Sequence, residues 1–164
     1  MKIAFVIGTF PATSMPWMIN WVADLLDRGL DIDVYAFGAE DAKNVSKRYK
    51  KYNLLARTFY IGMPENRILR IIKAIPKIVR LLFIAPKMLV ATLNIKKYGK
   101  YALSLKLLFW SERFVGKKYD LIHLFEGHVA NRFLNIKDII GMKAKIITSL
   151  LGYDVSGYIK QHSP

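Results

Sequence analysis

Cysteine is absent from the chain, which excludes disulfides, thiolate metal ligands and a cysteine nucleophile and leaves any chemistry to histidine, carboxylates, hydroxyls and backbone amides. The absence suits a reducing cytosol. Acid is scarce as well: 12 Asp and Glu stand against 26 Lys and Arg, a net charge of +14. That imbalance asks for an anionic partner, whether a membrane surface, a nucleic acid or a phosphorylated substrate. Long uncharged runs are lacking. The longest, Ile3 to Ala23, is broken by Pro11 and Pro16 and by the hydroxyls of Thr9, Thr13 and Ser14, so it reads as strand, loop and helix and not as a targeting segment. Elsewhere Lys or Arg interrupts every apolar stretch before the roughly 20 residues that a membrane span requires. No GxGxxG or GxxxxGK(S/T) motif is present, so a dinucleotide site or a P-loop lacks its fingerprint. Three scattered histidines without an HxH or HExxH pattern make no metal ligand set.

What is present suffices for a core: 53% of the 164 residues are apolar, enough for a single domain over 1–164. Lys2 to Ile7 is a β-branched run ending at Gly8, the pattern of a strand buried on both faces. Trp17 to Arg28 sets Trp17, Trp21 and Leu25 beside Met18, Val22 and Leu26 at helical spacing, with Gly29 as its stop. Asp31 to Phe37, alternating Ile32, Val34 and Ala36, predicts a second strand and completes a β-loop-α-β unit. Ala39 to Arg57 is polar with a weak helical pattern, and Thr58 to Ile61 predicts a third strand. Asn66 to Lys97 is helical by pattern with Pro76 and Pro86 as kinks or breaks, and Tyr101 to Phe114 predicts a further helix. Tyr119 to Phe125 and Lys145 to Leu150 predict strands around a helix from His128 to Ile140, and a short helix is expected near Val155. Strands alternating with helices imply an α/β fold, a Rossmann-like doubly wound parallel sheet with the Ile3 to Ile7 strand central. Ligands of such sheets gather at the C-terminal ends of the strands.

Three loops lie there. Gly8-Thr9-Phe10-Pro11 through Ser14 precedes a helix whose first amides are unpaired, and it can either receive a phosphate or sugar hydroxyl or simply turn the chain. His123-Leu124-Phe125-Glu126-Gly127-His128 places a carboxylate and two imidazoles at a strand end. His123 and Phe125 share one face of an extended strand and Glu126 points the other way, so His123 and Glu126 need not be neighbours. His123 is either a substrate contact or a core histidine satisfied by the fold, and His128 either faces the cleft or simply begins a helix. Asp154, after Gly152 and Tyr153, either orients a hydroxyl or caps the following turn.

The opening KIAFVIGTFPATSMPWMINWVADLLDRGLDIDVYAFG, the central YDLIHLFEGHVANRFL and the late KIITSLLGYDVS, in this order and at these separations, resemble the N-terminal half of a GT-B glycosyltransferase. The subgroup resembled is family 4, of the kind that builds bacterial exopolysaccharide and lipopolysaccharide. The resemblance implies an acceptor-binding half facing a cleft, with nucleotide-sugar as donor substrate, no other cofactor and no metal. Its partner half, which grips the donor, would lie beyond Pro164. It implies substrate-binding roles for Gly8, Thr9, Ser14, His123, Glu126, Gly127, Gly152 and Asp154, and leaves the catalytic residue unassigned. Two positions depart from the family pattern. Where relatives commonly read Ser-Glu-Thr-Phe, this chain has Ser14-Met15-Pro16-Trp17, and in the His-Gly-x-Asp motif Leu151 takes the histidine's place.

Nineteen of the 26 cations lie between Lys43 and Lys118, and the 46 residues between Glu65 and Glu112 hold ten cations and no acid. Arg67, Arg70, Lys73, Lys77 and Arg80 recur at helical spacing, so residues 66–118 form a basic amphipathic region suited to an anionic bilayer. Packing on the sheet with a solvated basic face is the other reading. Nucleic acid is disfavoured, because Phe83 is the only aromatic between Tyr60 and Tyr98 and base stacking needs more. The sequence therefore suggests half of a glycosyltransferase acting on a lipid-linked or polysaccharide acceptor, cytoplasmic and peripheral at the inner face of the plasma membrane. The alternative is a non-catalytic α/β module that binds anionic membranes.

Overall fold

A computed structural model of the chain describes residues 1–40 and 46–157. The sheet has five strands, all parallel: β1 (Lys2–Thr9), β2 (Asp31–Gly38), β3 (Thr58–Tyr60), β4 (Leu121–Phe125) and β5 (Lys145–Ser149), in the spatial order β3-β2-β1-β4-β5. This is the doubly wound Rossmann-like order, with β1 at the centre as its unbroken apolar run requires. Ile3 through Ile7 are all buried. The helices are α1 (Pro16–Asp27), α2 (Lys47–Lys51), α3 (Arg67–Ile84), α4 (Pro86–Thr92), α5 (Ile95–Tyr98), α6 (Lys100–Leu103), α7 (Lys106–Glu112) and α8 (Gly127–Ile140). Two compact units result, one from residues 1–60, 118–132 and the described residues from 143 onward, the other from 61–117 and 133–142.

In the first unit, α1 begins at Pro16, whose fixed φ suits a first helical turn. It ends in a Schellman cap: Leu30 N–H reaches the Leu25 carbonyl at 3.1 Å and Gly29 N–H the Leu26 carbonyl at 2.9 Å, with Gly29 at φ 78°. Met18, Ile19 and Val22 of α1 pack with Phe5, Ile7, Ile32, Val34 and Phe125 on one face of the sheet. The alternation read in β2 is half of its pattern, since Asp33 and Tyr35 on the other face are buried too. A buried carboxylate needs donors. The Tyr119 hydroxyl donates to Asp33 at 2.6 Å, which commits its one proton and makes Tyr35 the donor in the 2.6 Å contact between the two tyrosines. Burial, with Asp33 and Tyr35 adding to it, pushes the Tyr119 phenol far up, so it stays protonated.

In the second unit, Pro76 lies inside α3 without ending it. Ile72, whose carbonyl loses its amide partner there, is on the exposed side of the helix. Pro86 does mark a boundary, starting α4 after Ala85 turns out of the helical region. The single helix expected from Tyr101 to Phe114 is two, α6 and α7, because Leu105 adopts φ 60° between them. The bend lets every residue of α7 from Leu107 to Glu112 be buried. The weakly helical stretch Ala39 to Arg57 resolves into α2 and a short 3-10 turn over Leu54–Arg57, with residues 41–45 outside the described set. The short helix expected near Val155 is a π-helical turn over Tyr153–Gly157.

Replacing Tyr119 by Phe removes the donor to Asp33 and the acceptor for Tyr35 while keeping the ring. Urea denaturation should show a loss of about 1–3 kcal/mol, and an unchanged midpoint would refute the hydrogen-bonded role.

Candidate functional site

The winding reverses at β1, with β2 and then β3 on one side of it and β4 and then β5 on the other, and the loops beyond the C-terminal ends of β1 and β4 diverge there. Gly8 lies at that end of β1. A Cβ on it would stand 2.9 Å from Glu126 Oε2 and 3.5 Å from His128 Nε2, so the missing side chain is what lets the Glu126 and His128 pair lie across the strand. His128 Nε2 is 3.6 Å from Glu126 Oε2, and both side chains keep access to solvent. Glu126 takes φ 74°, the left-handed region that side chains other than glycine rarely occupy, and such strain tends to collect at functional positions. Burial pushes its carboxyl above the ordinary value of 4.5, with His128 and Arg132 opposing and Asp154 reinforcing the rise.

Asp154 ties two loops together. One carboxylate oxygen accepts Gly127 N–H and the other Leu151 N–H, each at 2.9 Å. It thereby places a negative charge at the first amide of α8, where the helix dipole favours it. The backbone of Gly127 is packed to match, since a Cβ there would meet Asp154 Oδ1 at 3.3 Å. Asp154 is thus a loop staple, closer to the capping reading than to a free hydroxyl acceptor. Gly152 is exposed and has nothing within 4 Å of a built Cβ.

His123 is placed elsewhere. Its ring is 6% exposed, stacks on Phe125 at 4.1 Å and meets Phe5 and Trp21 edge-on, while Nε2 lies 2.8 Å from Ser149 Oγ. Burial lowers its pKa, keeping the ring neutral. Its placement matches the core histidine of the two readings, separated by strand alternation from Glu126 and held by Ser149 and the aromatic cluster. The first loop is held down by Phe10 and Ala12, both buried, and by Phe10 N–H to the Gly38 carbonyl. Thr9 is half-buried at its start and Ser14 exposed at its rim.

The structure therefore brings Gly8, Glu126, Gly127 and Asp154 together, adds His128 to them, and sets His123, Ser14 and Gly152 apart. Glu40 went unread in the sequence: its carboxylate accepts the Thr13 amide at 2.6 Å and hydroxyl at 2.5 Å, which depresses its pKa and fixes the first loop to the end of β2. No local pattern announces it, since the partners are 27 residues apart.

Of the basic stripe, Lys77 Nζ lies 3.0 Å from the buried Glu112 carboxylate and Arg80 bonds its other oxygen. Arg70 donates to the carbonyls of Pro64, Glu65 and Ser104. Arg67 and Lys73 are exposed. Burial alone would raise the Glu112 carboxyl, but Lys77, Arg113 and Arg80 outweigh it and hold it below the ordinary range. Three of the five cations thus serve the fold. Among the described residues no helix is long and apolar enough to cross a membrane.

The chain is similar to bacterial polysaccharide-biosynthesis glycosyltransferases. It is 30% identical to the amylovoran biosynthesis glycosyltransferase AmsK of Erwinia amylovora over 166 aligned residues, 95% of this chain and 39% of that protein. It is 24% identical over 158 residues to the protein named "Putative colanic acid biosynthesis glycosyltransferase WcaL" of Escherichia coli strain K12, again 95% of this chain and 38% of the relative. The chain spans about two-fifths of the length of these curated relatives. No family model and no solved structure matches it.

The raised pKa of Glu126 fixes a sign. Its protonated form is favoured by folding, so the stability it contributes is full below pH 4.5 and is lost as pH rises through the elevated value. Glu126→Gln, permanently neutral, should melt higher than the wild type at pH 7 and lose that advantage as pH falls toward 4. A variant less stable at pH 7 would refute the assignment.

Proposed function

We propose that the protein is the acceptor-side half of a GT-B glycosyltransferase of family 4, which moves a hexosyl unit from a nucleotide-sugar to a lipid-linked or polysaccharide acceptor. The similarity to two polysaccharide-biosynthesis glycosyltransferases over 95% of the chain carries this reading. The geometry supports it, because the matched region ends its central strands in a cluster of oxygen and imidazole groups at the switch point of the sheet. In this reading the Glu126 carboxyl engages an acceptor hydroxyl and His128 orients it. Gly8 keeps the space in which both lie, and Thr9 and Ser14 form the rim. Asp154 is a positioning residue, holding the Gly127 and Leu151 amides so that the β4 and β5 loops keep their spacing. His123 supports the floor from behind.

The donor side belongs to the remaining length that the relatives have and this chain does not span. One wall of a cleft buries too little of a nucleotide-sugar to bind it tightly. The enzyme would work in the cytoplasm, peripheral to the inner face of the plasma membrane, where a lipid-linked acceptor is presented.

The test uses the protein expressed from its natural reading frame, with a panel of labelled nucleotide-sugars and membrane extracts as acceptor. Transfer should be seen, and Glu126→Gln and Gly8→Ala should each lower it by about tenfold or more, the loss of roughly one positioned interaction. Gly8→Ala pushes against the movable ends of two side chains and should leave the melting temperature nearly unchanged. No transfer from any donor would overturn the proposal, and vesicle binding that persisted without transfer would favour the non-catalytic membrane module. Calorimetry of the 164-residue chain alone should show no micromolar affinity for a nucleotide-sugar. Such affinity, abolished by Gly8→Ala, would place the donor site on this half.

A further inference from the structure

Helix α3 turns inside out the arrangement expected of a surface helix. Ala74 and Leu81 face inward, Lys77 and Arg80 are drawn onto the buried Glu112, and the opposite side exposes Ile68, Ile72, Ile75, Val79 and Phe83, the last at 79%. These five positions fall within a single arc of the helix. Beside Arg67 and Arg70, at the N-terminal end of α3, lies an open cavity of about 550 Å³ whose cations are Arg67, Arg70, Lys100 and Lys106 and whose lining holds no acid. Three backbone carbonyls, of Pro64, Glu65 and Ser104, fix the place of Arg70 there.

We propose that this surface docks on an anionic bilayer, the apolar face of α3 entering at the boundary of headgroups and acyl chains and the cavity receiving a lipid phosphate. The inference rests on the membrane reading above and relocates the contact from the basic stripe to the apolar face. Charge complementarity selects the occupant. From residue 66 to residue 111 the chain has ten cations and no acid; Lys77 and Arg80 face Glu112 and Lys97 faces Asp138, while Arg67, Arg70, Lys100 and Lys106 line the acid-free cavity. An anionic interface offers that depth profile, phosphate outside and hydrocarbon within. Helix α3, with five cations along it, lies in the plane and does not cross.

Because the chain has no cysteine, Ile75→Cys takes a single environment-sensitive fluorophore, and Arg28→Cys, exposed in the other unit, serves as its control. Vesicles of phosphatidylcholine, with and without phosphatidylglycerol, are the probe. The wild type should sediment with the anionic vesicles and weakly with the neutral ones. The label at position 75 should shift to the blue only with anionic vesicles, and the label at 28 should not shift. Ile72→Ser/Ile75→Ser/Val79→Ser and Arg67→Gln/Lys100→Gln/Lys106→Gln, each checked for native circular dichroism, should each cut the bound fraction about tenfold. Millimolar inorganic phosphate should not release the protein.

Undiminished binding by either triple variant, or an unshifted label at 75, would overturn the proposal. Release by phosphate would assign the cavity to a soluble phosphorylated ligand. A shift at 75 that grows with protein concentration without lipid would assign the face to a second copy, and a label already shielded in the longer reading-frame product would assign it to the rest of that protein. Vesicle binding reads no sugar transfer, so its failure and failure of the transferase reading are separate results.

Discussion

Everything in the first unit depends on the confinement of β1. It has a hydrogen-bonded strand on each edge and cover on each face, with Ala4 and Val6 showing no exposure at all. A strand so enclosed can offer chemistry only where it ends, and there Gly8, lacking a side chain, leaves room for the ends of Glu126 and His128. The closeness of Glu126 and His128 to its backbone follows from the parallel register that sets Val6 beside Leu124. The candidate cluster thus sits at the open end of a strand buried from Ile3 to Ile7.

Local signals were legible because local physics decides them. The unbroken run Ile3 to Ile7 announced a central strand, and Gly29 announced the end of α1, because a glycine takes the left-handed geometry of a helix C-terminus freely. Pro86 read correctly as a boundary and Pro76 did not break its helix, since an exposed carbonyl tolerates the lost bond. The division at Leu105 was hidden. A leucine carries no sign of positive φ, and what bends the chain there is the burial of α7. The orientation of α3 was hidden for a related reason: an amphipathic helix has the same periodicity whichever face turns inward. The choice was made by Glu112, 32 residues beyond Arg80 and 35 beyond Lys77.

At the site, strand alternation correctly parted His123 from Glu126 but could not say which of them met solvent. That depended on Trp21, Phe5 and Ser149, which close over the histidine from two other strands and a helix. Asp154 was readable as a cap, though its second loop was not, because Gly127 is 27 residues away. Leu151 shows the same limit from the other side. Its side chain lacks the proton chemistry of the histidine expected there, yet its backbone amide keeps the loop bonded through Asp154.

The pairing of β1 also bears on how the chain is made. Its contacts with β2 join residues 29 apart, such as Ile3 with Ile32, whereas those with β4 join residues 118 apart, such as Ile3 with Leu121. During synthesis the β1-α1-β2 unit can assemble soon after it leaves the ribosome. From then until β4 follows, β1 presents an unpaired apolar edge, a template for any other extended chain nearby. The arrangement that buries this strand most completely in the finished protein leaves it exposed longest in the nascent one.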